Sequence, residues 1–320
     1  MHTAVKKYIP KDQDDWLQQR SKSIGGSEIA TIMGLNPFQT PYEFWLQKTG
    51  RTPRFEGNIY TKAGIHLEEA IARYWSEETG LSIIKSSEQD IIYIHPKYSF
   101  ITGTPDRKYW IETKYGVQVD KGILECKAVQ WDPDVNKDTL EGLPDSWFCQ
   151  AQVYMGLTGC NKAYIAWLKR GLYLDYVEIA FDESFYNKSV EFAVQWYQNH
   201  IVNDKPPKAV NSSDIEKIFK SHKEYKSYEA TEEIFNQWER AKELKKSISE
   251  AYNELNVITE DIKMKLRDAE AFKYNGDTLF TWRKANDSAK LDTDILKKRY
   301  PEIYQECLRK EPGIRRFLIK

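Results

Sequence analysis

The chain has 320 residues, 41% of them hydrophobic and 30% charged, which is the balance of a globular protein with enough chain for a real core. No run approaches the ~18 consecutive apolar residues of a membrane helix, and the start, MHTAVKKYIPKDQDD, lacks the apolar core of a signal peptide. Four scattered cysteines, Cys126, Cys149, Cys160 and Cys307, form no CxxC pair, which argues against a structural zinc or a disulfide framework and favours a reduced, cytosolic setting.

The chain predicts helices first. DDWLQQR, the glycine-led GGSEIATIMG, TPYEFWLQKTG and GIHLEEAIARYWSEETG each carry start or stop signals, with Gly34, Gly50 and Gly80 closing the last three. The β-rich runs LSIIK and DIIYIH follow. RKYWIE and GILECKAV are two more strand candidates, separated by a turn region KYGVQVDKG. SWFCQAQVYMGLTG reads as a helix. KAYIAWLK and LYLDYVEIA flank Arg170-Gly171 as a hairpin, and DESFYNKSVEFAVQWYQNHI is a capped amphipathic helix. Strands interleaved with helices predict an α/β or α+β fold built on one sheet.

Pro206-Pro207 marks a boundary, giving predicted domains 1–205 and 206–320. Between Ala209 and Asn275 there is no Gly or Pro, and apolar residues from Ile234 to Ala269 recur at steps of mostly three and four. One long helix, or two broken near Asn256, fits; forty residues would span roughly 60 Å. Asn275-Gly276 signals a β-hairpin, and the end reads as short helices around Pro301 with a terminal strand. Charge divides along the same line. Residues 1–204 carry 22 basic and 27 acidic residues, or −5; residues 205–320 carry 25 and 21, or +4. A basic tail beyond an acidic body is compatible with a polyanion footprint, and equally with a solvated helix surface.

The chemistry concentrates in TPDR (Thr104 to Arg107) and ILECKAV (Ile123 to Val129). Glu125 and Lys127 lie two apart on a strand, so both point to one face, while Asp106 opens the strand before. Two carboxylates and the Cys126 carbonyl are hard oxygen donors suited to Mg²⁺ or Mn²⁺. A lysine beside them could orient or deprotonate a water attacking a phosphodiester. The alternative is a plain Glu125–Lys127 pair on a half-exposed strand. Three other E-x-K triplets exist, but those at Glu224 and Glu243 lie in helical sequence, and Glu112 shares a strand with Asp106.

WLQQR, GGSEIATIMGLNPFQTPYEFW, GIHLEEAIARYW, TGTPDR, LECK and QAQVYM stand in one order over residues 10–200. In this the sequence resembles the YqaJ and lambda exonuclease family of phage-type exonucleases, with their restriction-endonuclease-like PD-(D/E)xK core: a central mixed sheet flanked by helices, here with a mainly helical C-terminal extension. The resemblance implies an Mg²⁺-dependent exonuclease, with Mn²⁺ as a possible substitute and two ions. It would degrade linear double-stranded DNA 5′-to-3′ for recombination by strand annealing. Asp106, Glu125, the Cys126 carbonyl and Glu68 are then the metal ligands, Lys127 the catalytic lysine, and Gln150 its helper on the Q-x-Q helix. Arg20, Ser27 and Thr104 would hold substrate phosphate, and Arg107, where the family has glycine, could add a contact. HPKYS replaces a segment in which lambda exonuclease has an aspartate, so no second-metal ligand is expected there. Expected partners are double-stranded DNA ends, a single-strand annealing protein and further copies of the chain in a ring, with no membrane, in the cytoplasm of a bacterium hosting the phage or prophage. A structure-specific or restriction-like endonuclease using the same site, or a non-catalytic DNA-binding scaffold, are the competing functions.

Overall fold

A computed structural model describes residues 6–53, 55–83, 91–112, 118–309, 313 and 315–320. They form two units, Met1–Ile215 and Glu216–Lys320. The first opens with strand β1 (Lys6–Tyr8) and helices α1 (Gln13–Lys22), α2 (Gly26–Ile32), α3 (Pro41–Lys48) and α4 (Ile59–Thr79). Local chemistry sets these ends. Thr40 and Glu43 exchange hydrogen bonds with each other's backbone amides around Pro41, a reciprocal cap that starts α3. Asn58 caps α4, which therefore begins five residues before the predicted Gly64 start; the apolar pattern concealed this because Ile59, Tyr60 and Ile65 are exposed. Gly80, at φ 69°, closes it.

Strands β2 (Ser82–Ile83), β3 (Ile92–Ile94), β4 (Thr102–Gly103), β5 (Arg107–Glu112) and β6 (Gln118–Val129) follow, then α5 (Asp145–Thr158), β7 (Lys162–Lys169), β8 (Tyr173–Ala180) and α6 (Glu183–Trp196), which runs into a π-helical turn at Tyr197–Val202. Of the segment predicted as a turn between RKYWIE and GILECKAV, Gln118 onward already belongs to β6; residues 113–117 lie outside the described residues. Arg170 and Gly171 both take positive φ, 51° and 72°, and close the β7–β8 hairpin as expected.

The main sheet has the order β2-β5-β6-β7-β8, antiparallel except for the parallel β6–β7 pair that α5 connects. It is a mixed sheet with helices on both faces. Ile123, Ile165 and Trp167 point into a core shared with α2, α5 and α6. Leu124, Ala166 and Leu168 point the other way, against Ile71, Ala72 and Trp75 of α4. Neighbouring residues of one strand thus belong to different layers. A second, antiparallel sheet, β1-β3-β4, involves two strands (β1 and β4) that the sequence did not suggest; both are three residues or fewer.

The division between the units falls ten residues beyond the predicted boundary, inside α7 (Ser212–Ile218). Asp214 explains the difference: fully buried, it accepts hydrogen bonds from the Thr40 hydroxyl (2.8 Å) and the Val210 amide (3.1 Å), so the segment after Pro206-Pro207 still belongs to the first unit.

The second unit consists of α8 (Glu232–Leu266), the hairpin β9 (Ala271–Tyr274) and β10 (Asp277–Thr281), α9 (Thr293–Arg299) and α10 (Pro301–Cys307). Helix α8 runs unbroken through Asn256 for 35 residues, since a single Asn costs a helix little without Gly or Pro beside it. Asn275 and Gly276 form the predicted turn with φ of 51° and 92°. Residues 315–320 form no strand, contrary to expectation. Among the described residues of this unit only Leu266 is buried.

Candidate active site

The register of β5 and β6 builds the site. Arg107 stands opposite Leu124, and both face α4. One residue back and one forward, Asp106 and Glu125 turn to the other face. The Asp106 amide donates to Glu125 Oε1 (3.3 Å), and the Cys126 amide donates to Asp106 Oδ2 (2.8 Å). The N–H and C=O of one strand residue point the same way, so the Cys126 carbonyl faces the edge where Asp106 lies. Lys127 follows Glu125 on the same face, with Nζ 3.3 Å from Glu125 Oε2. Gln150 reaches in from α5: its Nε2 donates to Glu125 Oε2 (2.8 Å) and its Oε1 accepts from Lys127 Nζ (2.9 Å). Four predicted residues from three elements therefore meet in one hydrogen-bonded group. The plain surface pairing of Glu125 with Lys127 does not hold, because the Glu125 side chain is fully buried.

Electrostatics follow from that burial. Glu125 is pushed up to about 8, first by desolvation and then by the Asp106 charge, against the opposing pull of Lys127. Burial also raises Asp106, with Lys127 working against it. Burial pulls the Lys127 ammonium down, but Glu125 and Asp106 outweigh it and leave the lysine above its ordinary value. Burial thus disfavours the charged form of both carboxylates, and Lys127 opposes it in each. The donor set of two carboxylates and one carbonyl, all hard oxygens, fits a divalent cation such as Mg²⁺ or Mn²⁺.

Glu68 stands apart from this pair. It rises from α4, the helix on the opposite face, and its Oε1 accepts from Arg107 Nη1 at 2.5 Å. Among the described residues no group of three or more His, Cys, Asp or Glu side chains is gathered as a metal site. Glu68 is still near enough for the Asp106 charge to help raise its carboxyl, after burial. To join a metal it would have to give up Arg107. Arg107 itself was expected to contact phosphate, and the structure corrects this. Its side chain is only 3% exposed and is committed to Glu68, to Glu69 (2.8 Å) and to the Asp106 carbonyl (2.5 Å). Arginine in the glycine position clamps α4 to the start of β5.

The phosphate-holding candidates lie on the α2 side. Gly26 and Gly103 both pack on the Tyr154 ring, where an added Cβ would stand 2.6 and 2.7 Å from ring carbons; this close approach brings α2 and β4 against α5. Arg20 stacks over Trp16 (5.0 Å), and its charge reaches Tyr154. Ser27 is half-buried in the first turn of α2, and Thr104 is half-buried two residues before Asp106. Glu28 accepts from the Gly25 amide at 2.7 Å and pairs with Lys48 at 3.5 Å, so α2 supplies its own anion at that position. Lys48 also donates to the Arg20 carbonyl (3.0 Å). Glu28, Lys48 and Tyr154 escaped the sequence reading. Tyr154 left one trace, its position four residues after Gln150 on a single helix face; Gln150 Nε2 lies 3.4 Å from its hydroxyl. Gln152 of the Q-x-Q pair points away and is structural: it donates to the Ala180 carbonyl and accepts from the Asp182 amide, each at 2.8 Å.

A mixed sheet that brings together an aspartate at the start of one strand and Glu-x-Lys on the next defines a PD-(D/E)xK core. Residues 15–161 match the model of the YqaJ-like viral recombinase domain. The uncharacterized protein YqaJ of Bacillus subtilis (strain 168) is 29% identical over 321 residues, covering 96% of this chain and 94% of its own. The uncharacterized protein MG373 of Mycoplasma genitalium is 24% identical over 244 residues, covering 61% and 86%. Among solved structures, an alkaline exonuclease of Laribacter hongkongensis (LHK-Exo) superposes with a TM-score of 0.43 at 18% identity, over 60% of this chain and 96% of its own. A phage-related exonuclease of Haemophilus somnus 129PT gives 0.40 at 18% identity, over 57% and 96%. No helix among the described residues is long and apolar enough to cross a membrane.

Proposed function

We propose that the chain is a divalent-metal-dependent deoxyribonuclease that degrades linear double-stranded DNA from its ends, 5′-to-3′, and supplies single strands to an annealing protein during phage recombination. One observation carries the reading: Asp106, Glu125, Lys127 and Gln150 meet in one hydrogen-bonded group around the fully buried Glu125, within the segment that matches the viral recombinase domain. A charge at the depth of Glu125 is costly unless paired and hydrogen-bonded, as it is here, and carboxylates so perturbed mark candidate functional sites. Mg²⁺, or Mn²⁺ in its place, would be held by Asp106, Glu125 and the Cys126 carbonyl, with Glu68 joining on release from Arg107. When bound, the metal supplies charge neutralisation on the phosphodiester and polarises the attacking water.

The protein's own part lies in position. Gln150 bridges Glu125 and Lys127 and so fixes both side chains relative to Asp106. An ammonium carries three donors; two are directed at Glu125 and Gln150, and the third can hold the attacking water or a phosphate oxygen. Arg20, Ser27 and Thr104 lie on the α2 and β4 side and would receive the terminal phosphate. Assembly into a ring and cooperation with an annealing protein belong to the same proposal.

The deciding experiment is digestion of end-labelled linear duplexes beside closed circular duplex, in Mg²⁺ and in EDTA. Loss of the linear duplex alone, in Mg²⁺ alone, with release from the 5′ end, is expected. Cutting of the circle would make the enzyme an endonuclease, and binding without cleavage in any metal would make the chain a DNA-binding scaffold.

A further inference from the structure

Helix α8 carries a mostly apolar stripe that the described residues of its own unit leave largely exposed. From Ile234 to Lys265 the stripe advances by alternating steps of three and four residues without interruption. That is a 3.5-residue repeat, and the 35-residue helix holds five such heptads, more than the three to four that a coiled-coil seam requires. The adjoining side of the helix is already occupied: Trp238 Nε1 donates to the Lys320 carbonyl (3.2 Å), Lys245 Nζ to the Ile319 carbonyl (3.5 Å), and Leu266 is buried. The stripe is not. Ile248 is 68% exposed, Leu255 58% and Ile258 49%, a continuous apolar strip rather than the scattered single residues of an ordinary surface.

We propose that α8 pairs with α8 of a second copy of this chain in an antiparallel coiled coil. Aligning two helices head to tail about their midpoint stacks Ala241 on Ile258, Ile248 on Ala251 and Leu244 on Leu255, each layer occurring twice by the two-fold symmetry. Each alanine meets an isoleucine and leucine meets leucine, so the layers are of similar volume. The polar members of the stripe, Gln237 and Lys265, fall at the two wet ends. Beside the seam, Arg240 comes opposite Asp261, again twice. The acidic first turn, Glu232 and Glu233, approaches the basic last turn, Lys263 and Lys265, and the helix dipoles oppose. Within one chain Arg240 pairs with Glu243 and Asp261 with Lys265; both pairs are exposed and worth little, so both can exchange.

A parallel pair fails on each count. It would set Ala241 on Ala241 and Ala251 on Ala251, leaving voids, would face Lys265 with Lys265, and would place Arg240 beside Lys245. The surface is therefore complementary to itself in one orientation, as a two-fold interface requires.

The test uses the full chain with Cys307→Ser, and its outcome does not depend on the nuclease reading. Leu244→Cys and Leu255→Cys chains, mixed and mildly oxidised, should form the mixed disulfide, and neither variant alone should cross-link through α8. In sedimentation, Ile248→Glu should halve the mass of the associated species while circular dichroism shows the helix retained. Arg240→Glu should raise the dissociation constant roughly tenfold, and adding Asp261→Arg should restore it. Cross-linking of Leu244→Cys chains to one another would overturn the antiparallel arrangement. An Ile248→Glu protein that is folded and sediments like the unaltered chain would overturn the pairing itself.

Discussion

The two units of this protein use charge in opposite ways. In the first, Glu125 and Arg107 are buried and each is held by named partners, so electrostatics are part of the interior. In the second, the ion pairs Arg240–Glu243, Lys246–Glu250 and Lys265–Asp261 lie on the surface of one helix, and only Leu266 is buried among the described residues. A buried charge costs several kcal/mol unless it is paired and hydrogen-bonded; a surface pair costs and contributes almost nothing. The difference is the ground for placing the proposed chemistry in the first unit and the proposed association in the second.

The sharpest way to break that comparison is through packing. Ile165→Ala, in the fully buried centre of β7, should lower stability by about 2–5 kcal/mol in urea unfolding. A loss within surface range would mean that the first unit has no better core than the second. Lys127→Ala should reduce cleavage by about 10²-fold or more while DNA affinity is retained, since a positioned ammonium acts on turnover. Activity above roughly a tenth of the unaltered protein's in a single-turnover assay would remove Lys127 from the chemistry.

Arg107→Gln should cost about 1–3 kcal/mol of stability, because Glu68 and Glu69 lose a buried cation shared between them. Thermal unfolding with and without Mg²⁺ would sharpen the point: if freed Glu68 joins the metal, Mg²⁺ should recover more stability in this variant than in the unaltered chain. Arg20→Ala should leave cleavage measurable but abolish any faster digestion of 5′-phosphorylated over 5′-hydroxyl ends. Equal rates on both ends in the unaltered protein would refute Arg20 as a phosphate contact. The smallest effect belongs to the second unit: Val257→Ala, 67% exposed and off the α8 stripe, should change stability by less than about 0.5 kcal/mol.

Much was written locally. The Thr40/Glu43 cap, the Arg170-Gly171 and Asn275-Gly276 turns and the two-residue spacing of Glu125 and Lys127 act over a few residues, so sequence alone determined them. The long helix was equally legible, because α8 depends on the absence of Gly and Pro and not on a neighbour. TPDR marked Asp106 and the family's motif order added Gln150, without saying how the two meet.

Only the tertiary structure decided the rest, wherever partners are distant in the chain. Pairing of β5 with β6 sets Asp106 beside Glu125, and the parallel β6–β7 crossover brings α5 and Gln150 over them. The strands β1 and β4, too short to show a period, exist through β3. Arg107 looked available to substrate, and 39 residues upstream Glu68 was waiting to claim it. Glu28 sits three residues after Gly25, yet its role emerged only once Lys48 and Arg20 were placed beside it. A side chain's face follows from spacing along its own strand or helix. What occupies the space in front of that face is settled by how the layers pack, and burial then fixes how much each charge costs.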